Sequence, residues 1–222
     1  MSILITLNTK EDYHVHCNFN NHSAPDLTIR NVIKQCKEIG LQTLALTEHV
    51  RKGSDWIPNY LKEIESCLDT HNCMRIITGF EAKILIDGSI DCPKEYSKNY
   101  FLIASFHTVY NDKQVWIEAL NKAIENPDVN VIGHIAPEPT FTLEKSEVNA
   151  LASLIVKNKK IVELNAKYHR PPQEWIQIFK KQGVKFHLGS DAHSLHDIGR
   201  FEKISDLISL VNDASPISTI ED

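Results

Sequence analysis

The sequence predicts an α/β fold in which parallel strands close, or nearly close, into a barrel. Three observations predict it. Seven short apolar runs alternate with stretches whose apolar residues recur at helical spacing, a pattern that implies parallel strands joined by crossovers. The exits of these runs carry histidines, acids or an amide: His14 and His16, Glu48 and His49, Glu81, His107, His134, Asn165, then Asp191 and His193. A parallel barrel places its working residues at the carboxyl ends of its strands, whereas an open doubly wound sheet would gather them at one switch point. No G-x-G-x-x-G or G-K-[ST] stretch is present, so a nucleotide cofactor is not expected.

The first strand leads through Asp12-Tyr13-His14-Val15-His16. In extended backbone, residues two apart share a face, so His14 and His16 can reach a single point. A lone His-x-His pair is commonly incidental, and it is the recurrence of histidines and acids at later exits that gives this one weight. A polar loop from Asn18 to Asp26 precedes a helix carrying Ile29, Val32, Ile33, Cys36 and Ile39, stopped by Gly40. Thr43 to Leu46 is the second strand and runs into Thr47-Glu48-His49. Tyr60 to Leu68 is helical, and Ile76 to Phe80 is a strand with Glu81 at its end.

Between Ala82 and Ser97 the periodicity loosens, and Asp87-Gly88 marks a hairpin turn within an insertion. Tyr100 to Phe106 is the fourth strand, ending at His107; a helix through Trp116, Leu120 and Ile124 stops before Pro127. Val129 to Gly133 is the fifth strand, ending at His134 and followed by the proline-bearing loop Ala136 to Thr140. A helix through Val148, Leu151, Leu154 and Ile155 leads to the strand Ile161 to Leu164, ending at Asn165. Pro171-Pro172 opens a helix that Gly183 closes, Val184 to Leu188 is the seventh strand, and a final helix covers about Phe201 to Val211 before a frayed tail from Ser215.

With 222 residues the chain suits one domain, 1–222. The 11 histidines are the compositional oddity that a function has to explain. A net charge of −5 disfavours a grip on nucleic-acid backbone, and the basic run Lys157 to Lys160 reads as a solvated helix end. Five cysteines with no C-x-x-C pair indicate neither a zinc knuckle nor a disulfide framework, and point to reduced intracellular thiols. The opening Met1 to Leu7 is too short an apolar run for a signal peptide, and no segment is long enough for a membrane span. A cytoplasmic protein with no membrane partner is expected. Oligomeric state is open.

The ordered set His14-x-His16, His22, Thr47-Glu48-His49, Glu81, His107, His134 and Ser190-Asp191-Ala192-His193 resembles the polymerase and histidinol phosphatase (PHP) family of metal-dependent phosphoesterases. The resemblance implies a distorted (β/α)7, TIM-barrel-like fold. It also implies two or three divalent metal ions: one on His14, His16, Glu81 and Asp191; a second on His107 and His134, bridged by Glu81; a third on His22, His49 and His193. Imidazole suits zinc, iron or manganese, and a mixed nitrogen and oxygen set does not favour calcium or magnesium.

Two positions depart from the usual family pattern. Glu48 stands where Asp is common, so Glu48, like Asp12, is expected to orient a ligand and not to hold a metal. His22 stands where other members offer Asp, which favours the small trinuclear branch resembling histidinol phosphatase. The remaining histidines, His71, His169, His187 and His196, have no counterpart and are read as structural or surface residues. Ser190, Asp191 and His193 lack a nucleophile elbow and sit too close in sequence for a catalytic triad.

By that resemblance the substrate is a small phosphomonoester attacked by a metal-activated hydroxide, with Glu81, Asp191 and His14 as the catalytic groups, and Asp191 or a metal-adjacent histidine protonating the leaving oxygen. Arg170, after the Glu163-Leu164-Asn165 strand end, resembles a phosphate-binding arginine; Asn165 and Arg200 are further substrate-contact candidates. The alternatives are a phosphodiesterase or nuclease on the same metal centre, and a metal-binding protein without catalysis.

Overall fold

The computed structural model of the protein describes residues 7–68, 74–137 and 140–213. His71 and the tail from Ser215 lie outside them. Seven parallel strands form a single sheet in the order of the sequence: β1 (Glu11–Val15), β2 (Thr43–Val50), β3 (Arg75–Lys83), β4 (Phe101–Ser105), β5 (Val131–Ile132), β6 (Ile161–Asn165) and β7 (Lys185–Gly189). Between them lie α1 (Ile29–Glu38), α2 (Ile57–Cys67), the one-turn α3 (Lys94–Ser97), α4 (Lys113–Glu125), α5 (Lys145–Lys157) and α6 (Gln173–Gln182), with α7 (Ser205–Asn212) last.

β1 and β7 are the sheet's two edges, and they meet at one end. His16 N donates to Ala192 O at 3.1 Å and Asp191 N to His14 O at 2.8 Å, so the sheet becomes a nearly closed barrel at the carboxyl ends of its strands. Buried Asp12 strengthens this seam by accepting from Ser190 N (3.0 Å) and Gly199 N (2.9 Å). β1 changes register against β2 between Asp12 and Val15, an irregularity of the kind that re-aims side chains beside active sites.

Local chemistry sets the helix ends. Thr28 caps α1 by accepting from Asn31 N, Asp112 caps α4 by accepting from Gln114 N and Val115 N, and Gly183 ends α6 in the left-handed region at φ 85°. The insertion after β3 holds the expected hairpin: Ile84 bridges Ile90 and Gly88 N donates to Leu85 O. Its short helix α3 was not predicted.

Three details differ from expectation. β5 is two residues long, because Asn130 uses its side-chain oxygen as well as its backbone to reach Leu102, and because His134 turns out of the strand at φ 27°. The last helix starts later than predicted, behind a 3-10 turn over Glu202–Ile204. Lys160 is not a solvated residue: it is buried, and its ammonium donates to Asn126 O and Val129 O, where a cation stabilises the carbonyls beyond the end of α4. Among the described residues no helix is long and apolar enough to cross a membrane.

Candidate metal centre

Glu81 is the hub of the barrel mouth. It is fully buried near the end of β3, and the β2–β3 register places His49 directly beside it. One oxygen, Oε1, faces His107 Nε2 at 3.0 Å and His134 Nε2 at 3.1 Å. The other, Oε2, faces His49 Nδ1 at 2.8 Å, His14 Nε2 at 3.5 Å and His16 Nε2 at 3.6 Å. Five imidazoles from four strand exits thus surround one carboxylate. Burial would raise its pKa, but the charges of His107, His14 and His49 outweigh it and hold Glu81 well below the usual carboxylate range.

Asp191 completes the floor. Its left-handed backbone, φ 53°, turns the carboxylate from the β7 exit toward His16, whose Nε2 lies 3.2 Å from Oδ1. Positive φ in a non-glycine residue costs on the order of 1–3 kcal/mol and recurs at functional sites; His134 shares it. Burial raises the Asp191 pKa, yet His14 and His16 pull it far down, so the group is a firm carboxylate. His193 Nδ1 accompanies it at 3.3 Å from Oδ1.

Three sets of donor atoms are close enough to share a cation: His14, His16 and Asp191; His49, Glu81 and His107; and His16, His49 and His193. This grouping differs from the sequence expectation, because His16 and His49 each serve two sets. His22 stands outside all three sets. It is exposed on the loop after β1, lines the mouth, and presents its ring 5.6 Å from that of His49.

The donor atoms fit metal ions. Among the described residues, His14 Nε2 and His16 Nδ1 are buried without a hydrogen bond, and His49 Nδ1 and Glu81 Oε2 lie 2.8 Å apart without forming one. Each such orphan costs about 1–3 kcal/mol, and a bound cation removes that cost. Five carboxylates, Asp12, Glu48, Glu81, Glu163 and Asp191, are also buried, a concentration of negative charge that calls for cations.

Glu163, to which sequence reasoning gave no role, holds the ligands in place. Its Oε1 lies 2.5 Å from His14 Nδ1, while Oε2 accepts from His134 N (2.8 Å) and from Asn165 Nδ2 (3.1 Å). The contact with His14 fixes Nδ1 as the protonated nitrogen and leaves Nε2 aimed at the cluster. Two glycines make room for it. A Cβ on Gly189 would collide with Glu163 Oε1 and lie 2.8 Å from His14 Cβ; one on Gly133 would collide with Ser105 Oγ. The available sequence signal was a charged residue inside an otherwise apolar strand.

Glu48 binds the loop that follows β1. It accepts from Cys17 N (3.0 Å), Phe19 N (3.3 Å), His49 N (2.8 Å) and the Asn20 side chain, and stands 3.7 Å from His16 Nδ1.

The expected substrate contacts divide. Arg170 lines the mouth, a cavity of about 630 Å³ that Phe106, Tyr110, Trp116 and Tyr168 also line. Asn165 is fully buried, and its side chain is committed to Glu163, Asp191 and Tyr168 N, so it positions Asp191 and does not face substrate. Arg200 is exposed, pairs with Glu202 and is absent from the cavity wall. Ser190 donates its hydroxyl to His14 O, so no serine triad is assembled. Lys167 and Arg51, both unforeseen, also line the cavity.

A parallel barrel whose strand exits converge on an imidazole and carboxylate cluster has the architecture of a metal-dependent hydrolase. Residues 12–168 match the PHP domain, and the chain belongs to that family. A relative from Acetivibrio thermocellus described as a probable phosphatase is 29% identical over 217 residues, covering 90% of this chain and 86% of the relative. Another from Vibrio campbellii, described in the same words, is 31% identical over 226 residues, covering 95% and 88%. Histidinol phosphate phosphatase from Lactococcus lactis, solved in complex with zinc, L-histidinol and phosphate, superposes with a TM-score of 0.68 at 19% identity, covering 91% of this chain and 92% of that one. The last likeness establishes the fold.

Proposed function

We propose that this phosphoesterase hydrolyses a small phosphomonoester, and that His14, His16, His22, His49, Glu81, His107, His134, Asp191 and His193 hold two or three cations of zinc, manganese or iron. The observation that carries this reading is Glu81, buried with imidazoles against both oxygens and one oxygen left without a hydrogen bond. When bound, such cations lower the pKa of a water and neutralise charge on a phosphoryl group.

The chain's own residues prepare that chemistry. Glu163 sets the tautomer of His14, and Asn165 with His16 orients Asp191. Asp191, held as a carboxylate, serves as a ligand, which leaves a metal-adjacent histidine, the other candidate, to protonate the leaving oxygen. Arg170 enters the cavity from the loop after β6, where a guanidinium can take two phosphate oxygens at once. The aromatic residues of the same cavity suit an organic leaving group of modest size. The zinc, L-histidinol and phosphate of the Lactococcus protein support a small phosphorylated substrate, and the net charge of −5 argues against a polynucleotide.

The test is phosphate release from an aryl phosphate with added manganese or zinc, run beside a short oligonucleotide. Loss of a residue that merely orients a ligand costs 10- to 100-fold, so His14→Ala and Glu81→Ala are expected to lose more than about 100-fold. Full activity after exhaustive chelation overturns the mechanism, and preferential cleavage of the oligonucleotide overturns the choice of substrate.

A further inference from the structure

Lys167 puts a positive charge where cations are expected to bind. Its Nζ lies 3.2 Å from Nδ1 and 3.3 Å from Nε2 of His193, and 3.5 Å from Asp191 Oδ1. An ammonium in that place repels a metal ion held by the same two residues. Nor does the fold need it there, since Asp191 is already engaged by His16 and Asn165.

The backbone that carries Lys167 is fixed on both sides. Ala166 N donates to Gly189 O at 2.9 Å, Tyr168 N to Asn165 Oδ1 at 2.9 Å, and Asn165 and Arg170 exchange backbone hydrogen bonds of 2.9 and 3.3 Å. The side chain is different: it is 37% exposed, its ammonium lies 5.1 Å from the centre of the Tyr168 ring, and its long stem can swing across the mouth. Arg170 stands three residues away on the same loop, and both residues line the cavity. Arg51, the other cation of the wall, donates to Val50 O and faces Asp91 at 3.6 Å.

We infer that Lys167 is a substrate-binding residue: its ammonium leaves His193 to take an oxygen of the incoming phosphoryl group, and its charge makes the site favour monoesters over diesters. This inference rests on the phosphoesterase reading above. Repulsion between lysine and metal turns into attraction once a dianion lies between them, so the same charge that weakens metal binding in the empty site strengthens substrate binding in the loaded one. A monoester, with a second pKa of about 6, carries nearly two negative charges at neutral pH. A diester carries one, and gains correspondingly less from an added cation.

The experiment compares metal-loaded wild type with Lys167→Met and Lys167→Arg. Inorganic phosphate binding is measured by calorimetry, metal per chain by elemental analysis, and kinetics with an aryl phosphate and a bis-aryl phosphodiester. A charge-assisted hydrogen bond is worth about tenfold or more in affinity, so Lys167→Met is expected to weaken phosphate binding and raise KM for the monoester by about that factor. The expected companions are a smaller change for the diester, undiminished metal content, and most of the phosphate affinity kept by Lys167→Arg. If wild type hydrolyses the monoester and Lys167→Met matches it in KM and phosphate affinity, the lysine assignment alone fails. If the variant loses metal in proportion to its loss of affinity, Lys167 is structural and the assignment fails. If wild type neither binds phosphate nor hydrolyses the monoester, the phosphoesterase reading fails and the assignment with it.

Discussion

Glu163 and His14 show how a single buried pair sets the chemistry of the mouth. Burial pushes the Glu163 carboxyl up and the His14 imidazole down, yet mutual attraction wins on both sides: Glu163 sits below its ordinary pKa and His14 well above its own. Glu163→Gln keeps the shape and removes the charge; it is expected to weaken metal retention by about 10- to 100-fold in a chelator competition, with the fold intact. Gly189→Ala is expected to do more damage, because a Cβ there meets both Glu163 and His14, and neither neighbour is free to move. Overpacking of this kind costs about 1–3 kcal/mol, read as a fall in urea midpoint together with loss of phosphate release. The ligand positions were legible in the sequence because they follow apolar runs, one exit after another. Glu163 and Lys167 were not. The partners that give them meaning, His14 and His193, lie 149 and 26 residues away, and no local pattern reports such a contact.

Among the elements, the seam between β1 and β7 carries the largest structural burden for the site. Two backbone hydrogen bonds close the barrel there, and Asp12 holds the returning segment through Ser190 N and Gly199 N. Asp12→Ala strands the buried Ser190 amide and the half-buried Gly199 amide, at about 1–3 kcal/mol for the first and less for the second, so a loss of about 1–4 kcal/mol is expected, seen as a lower urea midpoint with an unchanged slope. All seven strands were legible to within a few residues, since buried parallel strands read as nearly continuous apolar runs. β5 was overextended, because the side chain of Asn130 substitutes for ladder pairing. The changed grouping of His16 and His49 was likewise out of reach: strand alternation says which side chains face inward, while the β1 irregularity and the closeness of neighbouring exits decide which of them share a cation.

For the molecule as a whole, stability is tied to pH and to metal. His187, in β7, is buried against Tyr13 with ring centres 4.8 Å apart, and burial lowers its pKa to about 4. The unfolded chain binds this proton more readily, so stability falls as pH drops from about 6.5 toward 4. His187→Phe is expected to remove up to about 3 kcal/mol of that fall, measured as a flatter dependence of urea midpoint on pH across this window. Metal acts in the same sense, since ions that bind only the folded chain stabilise it by mass action. The central claim is that residues from separate strand exits bind cations together around Glu81. Elemental analysis of wild type and Glu81→Ala, each loaded with zinc or manganese and freed of excess, tests it most directly. Two or three metal ions per wild-type chain, with at least one fewer in Glu81→Ala, is the predicted result; equal metal content in the two proteins would contradict it.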